Sequence, residues 1–227
     1  MGKLIALEGL DGAGKSTQIR LLLDYFKRKN IETHFVHFPR TAEKTVFGDL
    51  VAKFLRGEFG SLESVHPQLV ALLFAEDRKD FAKTLKKWLK KPDSVVVMDR
   101  YVLSNIAFQG AKLKTEAEKI ELSEWILDFE FSYNKIPKPD VSIYLDVPFD
   151  FVQHSLAHGR EGEDRSYLNG KTDIHEADLG FQAAVKAEYD RMLYSGKMNL
   201  KQIICTDATG KMEDAQKIHQ QIVELVH

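Results

Sequence analysis

Apolar positions along the chain fall into two kinds of stretch. Short, mostly apolar runs at residues 4–7, 94–98 and 141–145, with Ser94 opening the second and Ser142 inside the third, are rich in Val, Ile and Leu, and predict strands of a parallel sheet buried on both faces. Residues 32–38 alternate and hold several β-formers, and 202–205 form a final short run, which brings the predicted strands to five. Between them the apolar residues recur at steps of three and four, the period of a helix with one buried face. Ile19, Leu22, Leu23 and Phe26 mark a first helix ending near Arg28, and residues 46–55 a second, closed by Gly57. The longest helical pattern, 67–91, is opened by Pro67 and closed by Pro92. It carries one stripe of Leu69, Leu72 and Leu73 and another of Phe81, Leu85, Trp88 and Leu89. Residues 115–131, a stretch starting at Pro148, 173–194 and 212–226 complete the helices, while the residues after Tyr101 read as a turn. Strands alternating with helices predict an α/β fold: a five-stranded parallel sheet with helices on both faces, in one domain spanning 1–227.

One segment fixes the chemistry. Residues 9–16 fit G-x-x-x-x-G-K-[ST], directly after the first strand and before the first helix, the context a phosphate-binding loop requires. Gly12 and Gly14 permit positive φ, so the loop can turn its N–H groups inward at a helix N-terminus. Lys15 is expected to meet the terminal phosphates of a nucleoside triphosphate and to be paired only with ligand. Ser16 offers a hydroxyl to Mg²⁺, and Gly9, Asp11, Ala13 and Thr17 complete the ATP-binding set.

Composition narrows the partners. Hydrophobic residues make up 44% and charged residues 29%, as in ordinary globular proteins, and a net charge of −2 gives no electrostatic reason to expect nucleic acid. No apolar run reaches the roughly 20 residues that span a bilayer. No basic and apolar leader opens the chain, and Ala6 stands where a myristoylation signal has Ser or Thr. The single cysteine, Cys205, can form no intrachain disulfide, which points to a reduced, cytosolic protein.

Further ligand-facing candidates sit where strands end. Phe38-Pro39-Arg40 closes the second strand, and Asp99-Arg100-Tyr101 closes the third, on the rim where open α/β sheets bind ligands. Beyond it Ser104, Asn105, Phe108 and Gln109 are able to read a base or sugar, although Tyr101 and Phe108 suit a core equally well. Phe74 and Arg78 lie one helical turn apart and present a ring and a guanidinium together; as an isolated pair they would be core and the partner of a nearby carboxylate. His154 and His158 have metal spacing but neither an intervening Glu nor a third ligand, and read as surface residues. Residues 159–172, polar and bounded by Gly159 and Gly170, carry Arg160, Arg165 and Lys171 and suggest a mobile lid that closes on phosphates.

Taken together, ALEGLDGAGKSTQ, FPR, LLFAEDR, DRYVLSNIAFQG, YLDVP and TDATG, in this order over essentially the whole chain, resemble the thymidylate (dTMP) kinases. The resemblance implies transfer of the γ-phosphoryl group of ATP to dTMP, giving dTDP, with Mg²⁺, in a cytosolic homodimer. It implies that Asp11 contacts the sugar hydroxyl, that Phe74 stacks on thymine and Arg78 bonds its edge, and that Ser104, Asn105 and Gln109 form the base-reading turn. Arg40 and Arg100 would lie near the acceptor phosphate, Asp99 near the metal, and Asp173 and Glu176 near sugar and metal. The turn at 206–210, with Asp207, would hold adenine. Some members of the family carry an arginine inside the phosphate loop; Gly12 stands there in this chain, so that charge falls to the lid, to Arg165 in preference to Arg160. Because the acceptor is already a phosphate monoester, no strong general base is needed. A kinase of another monophosphate or of a deoxynucleoside would share this scaffold. A non-catalytic P-loop switch would share only the loop, and the N-K-x-D segment of a GTPase is missing.

Overall fold

The computed structural model describes residues 1–43, 45–157 and 167–226. Five strands, β1 (Lys3–Glu8), β2 (Thr33–His37), β3 (Val95–Asp99), β4 (Val141–Asp146) and β5 (Leu200–Ile204), form a wholly parallel sheet in the order β2-β3-β1-β4-β5. β3 is buried along its whole length and β1 from Leu4 onward, which is why these strands read as continuous apolar runs. β2 lies at the sheet edge and buries only Val36, consistent with its alternation.

Helices α1 (Lys15–Arg28), α2 (Val46–Leu55), α3 (Pro67–Leu89), α4 (Val102–Gly110), α5 (Glu116–Leu127), α6 (Phe149–Ala157), α7 (Leu179–Ser195) and α8 (Ala215–Val226) flank the sheet. Local chemistry starts several of them. Thr45 accepts a hydrogen bond from Gly48 N at the head of α2, Pro67 opens α3, and Thr115 with Glu118 forms a capping box on α5. A smaller apolar cluster of Val51, Phe54, Leu55 and Val70 seats α2 on α3, with Phe74 and Tyr167 at its margin. Among the described residues no helix is long and apolar enough to cross a membrane.

Several elements differ from expectation. The stretch after Tyr101 is a helix, not a turn: all nine residues of α4 are buried, so it shows no solvent-facing polar side. α7 starts at Leu179, capped by Asp178, and not at residue 173. The preceding residues form a turn in which Glu176 N and Ala177 N donate to Asp173 O. α8 likewise starts at Ala215, not at residue 212. α5 passes at its end into a single π turn, Asp128–Tyr133.

Candidate active site

The phosphate loop links β1 to α1, with Gly14 as N-cap at φ 77°. Gly12 is closed to other residues twice over: its φ is +75°, and a Cβ there would stand 2.8 Å from Ser155 Oγ on α6. An arginine at this position would be strained and would have to displace the Ser155 side chain. Lys15 is 6% exposed, and its Nζ donates to Leu10 O at 2.7 Å. It is therefore not paired with ligand alone, contrary to the sequence expectation.

One open cleft of about 780 Å³ gathers most of the candidate residues. Asp11, Lys15, Phe38, Pro39, Asp99 and Arg100 line it. So do Phe74, Arg78, Ser104, Asn105, Phe108 and Gln109, together with Asp173 and Glu176 from the segment before α7. Asp99 Oδ1, Asn105 Oδ1, Gln109 Oε1 and His175 Nε2 are buried and lack a protein partner among the described residues, although all four side chains line this cleft. Buried polar atoms are seldom left so, and a polar ligand would satisfy them.

The charged groups of the cleft are held in fixed positions. Arg100 takes a left-handed backbone conformation, φ 64°, unusual for a non-glycine residue and frequent at functional sites. Its Nη1 donates to Gly9 O at 2.8 Å, its Nη2 to Asp11 Oδ1 at 2.6 Å, and its guanidinium lies 4.8 Å from the centre of the Phe108 ring. Gln182, with no exposed surface, grips Asp11 from the other side and also donates to His175 O. Burial alone would raise the Asp99 pKa; the hydrogen bond from His37, with Lys15 and Arg100 nearby, outweighs it and brings it to about 2. Asp173 goes the other way, pushed to about 7 by burial and by Asp11, against hydrogen bonds from Tyr167 and the His175 backbone. Glu8 is raised by burial despite its bonds from Ser104 Oγ and Tyr101 N.

Two candidates are placed elsewhere. Arg40 does not line the cleft: its guanidinium is turned onto α3, where Nε donates to Asp77 and Nη2 to Asp77 O and Asp80, while Nη1 reaches Glu43. Three carboxylates satisfy it, so in this conformation it is a structural ion pair and not a phosphate ligand. Asp207 is likewise committed within its own turn, accepting from Thr209 N, Thr209 Oγ1 and Lys211 N. The cavity beside the loop is lined instead by Gly14, Thr17, Phe151, Cys205 and Met212. Ser16 is exposed at the end of the loop and His154 is exposed on α6. Arg160, Arg165 and His158 lie outside the described residues.

Sequence reasoning missed Glu8, His37, Gln182 and Glu130. Glu8 carried a legible signal, since a carboxylate closing an otherwise apolar strand rarely lies buried without partners. The others are recognisable only through tertiary contacts. Lys112, in the turn just beyond α4, was missed for the same reason: its Nζ lies 4.7 Å from the centre of the Phe54 ring with no hydrogen-bond partner among the described residues, and burial pulls its pKa down to about 7. The folded chain thus refuses a proton that the unfolded chain accepts up to the ordinary lysine value of about 10.4. The penalty is full below about pH 7 and fades as pH rises towards that value. Lys112→Met should accordingly raise the melting temperature clearly at pH 6 and much less at pH 10, as thermal melts at the two values would register; an equal gain at both would contradict the burial of a charged amine.

Comparison with known proteins gives the family. The family profile described as thymidylate kinase matches residues 7–219. The chain is 31% identical to a thymidylate kinase of Plasmodium falciparum (isolate 3D7) over 228 aligned residues, covering 99% of this chain and 90% of that protein. It is 33% identical to a thymidylate kinase of Mycobacterium tuberculosis (strain ATCC 25618 / H37Rv) over 193, covering 85% and 86%. Among solved structures, thymidylate kinase from Candida albicans aligns with a TM-score of 0.69 at 22% identity over 99% of this chain and 91% of that one. The enzyme from Ehrlichia chaffeensis aligns with a TM-score of 0.64 at 20% identity over 100% and 99%, and both show a shared fold. With a family match across nearly its whole length, the chain belongs to the thymidylate kinase family.

Proposed function

We propose that this protein transfers the γ-phosphoryl group of ATP to dTMP, giving dTDP, within a single domain whose lid spans residues 159–172. The observation that carries this reading is a single cleft. There Lys15, Arg100 and the unpaired Asp99 Oδ1 share a wall system with a ring and amides suited to a nucleobase, Phe74, Asn105 and Gln109. In this reading Phe74 stacks on the base, Arg78 and Asn105 bond its edge, Asp11 meets the sugar hydroxyl, and Asp173 and Glu176 border the sugar. Arg100 faces the acceptor phosphate. The triphosphate lies on the loop N–H groups and Lys15, with adenine beside Phe151 and Met212.

The chemistry asked of these groups is alignment and neutralisation. A loose phosphoryl transition state spreads charge over its equatorial oxygens, so Lys15 and a lid arginine, Arg165 before Arg160, act on charge as it moves. Hard oxygen donors fit Mg²⁺: Asp99 offers a buried unpaired carboxylate oxygen and Ser16 an exposed hydroxyl, and phosphate oxygens and water would complete the set. When bound, the ion would neutralise charge on the phosphate oxygens. A homodimer in the cytoplasm completes the proposal, and the family resemblance supports it.

Coupled ADP release with ATP and Mg²⁺, run in parallel against dTMP, dUMP, dCMP, dGMP, AMP and thymidine, tests the proposal. Marked preference for dTMP is expected. Turnover of a different acceptor would keep the kinase and replace the base assignment, whereas ATP binding without turnover of any acceptor would leave only a nucleotide-binding module.

A further inference from the structure

Arg78 on α3 and Asn105 on α4 bond one and the same carboxylate. Glu130, in the π turn and without exposed surface, accepts from Arg78 Nε at 2.6 Å, from Arg78 Nη2 at 2.6 Å and from Asn105 Nδ2 at 3.1 Å. π turns are rare interruptions of α-helices and recur at functional sites. This one is also pinned to α3 through Asn134, which accepts from Lys79 and donates to Glu76.

The bonding pattern fixes the polarity of what remains. Asn105 Nδ2 donates to Glu130 and, at 3.0 Å, to Ala71 O. Both partners can only accept, so the amide has one orientation, with Oδ1 left buried and unpaired in a residue that lines the cleft. Arg78 uses Nε and Nη2 on Glu130 and keeps Nη1 as a donor, in a side chain that also lines the cleft. The wall therefore offers a donor from Arg78 beside an acceptor from Asn105. A pyrimidine with a 4-oxo group and an N3–H presents the matching acceptor and donor. Cytosine, with a 4-amino group and a bare N3, presents the reverse.

We propose that Glu130 is a positioning residue that sets this donor and acceptor polarity, and with it the discrimination of dTMP from dCMP. The proposal rests on the reading of Arg78 and Asn105 as base-edge residues. A counter-ion that merely stabilised the fold would leave that discrimination untouched.

The test measures kcat and KM for dTMP, dCMP and ATP in the wild type, Glu130→Gln and Glu130→Asp, with a thermal melt of each. Glu130→Gln replaces one acceptor oxygen by an amide donor, so the orientation of Asn105 rests on Ala71 O alone and Arg78 loses its two-point hold. The kcat/KM ratio of dTMP to dCMP should fall about tenfold or more, chiefly through KM for dTMP, while KM for ATP stays within about twofold. Glu130→Asp keeps the charge for Arg78 but retracts by one methylene. It should melt close to wild type and lose about threefold of the ratio. Glu130→Gln decides if it folds, and otherwise Glu130→Asp does; a folded deciding variant with the wild-type ratio overturns the proposal, whatever its melting temperature. A wild type that uses dTMP and dCMP equally would instead overturn the base-edge reading, and the role of Glu130 with it.

Discussion

Lys15→Ala is expected to lower kcat for dTMP phosphorylation by about a thousandfold, with little change in KM for dTMP. In the loose transition state the migrating group is poor in bonds and rich in exposed charge, so an ammonium beside it contributes more there than in the ground state. In the fold the same ammonium donates to Leu10 O. The variant therefore loses a contact inside the loop and one of the cations near Asp99, which keeps its hydrogen bond from His37, and its melting temperature should fall by only a few degrees. Initial rates and a thermal melt check the two halves separately. A near-normal rate would remove Lys15 from the transfer step, and a collapse of the melt would mean that the Leu10 contact holds the loop together.

Arg40→Ala should do the opposite. Asp77 has no exposed surface, and the guanidinium of Arg40 is its counter-ion. Removing one partner of a buried pair costs about 3–5 kcal/mol, because the other charge stays behind, here with the Arg40 backbone N–H still bonded to it. For a chain of this size that is a drop in melting temperature on the order of 10 °C. KM for dTMP should move within a few-fold in whatever fraction folds. Chemical denaturation with initial rates on the folded protein decides the matter: an unchanged stability with a large rise in KM for dTMP would return Arg40 to the acceptor phosphate and require it to leave Asp77 on binding.

Arg40 also marks where reading the sequence stops. The strands and the phosphate loop were legible because their signals are local: largely apolar runs for β1, β3 and β4, and glycines at the spacing that turns a backbone around phosphates. The direction of Arg40 depends on Asp77 and Asp80, which come into reach only once α3 packs beside the end of β2. α4 escaped for a different reason, since burial on every side erases the polar face by which a helix announces itself. The late start of α7 was announced by Asp178, the residue that caps it, but the polar residues before it imitate a first helical turn. Glu130 meets Arg78 across 52 positions, and only the packing of α5 against α3 brings them together.

The sheet order also sets a timetable for synthesis. β1 and the phosphate loop are made before the other strands of this sheet, yet β1 is the middle strand, and the two strands that flank it arrive only at Val95–Asp99 and Val141–Asp146. A growing chain carries the complete nucleotide motif long before it has a frame to hold that motif in shape. Pairings so distant along the chain close late and slowly, so the apolar strands made first stay uncovered until β4 has followed them. Nucleotide can reward completion of this fold but cannot guide its beginning.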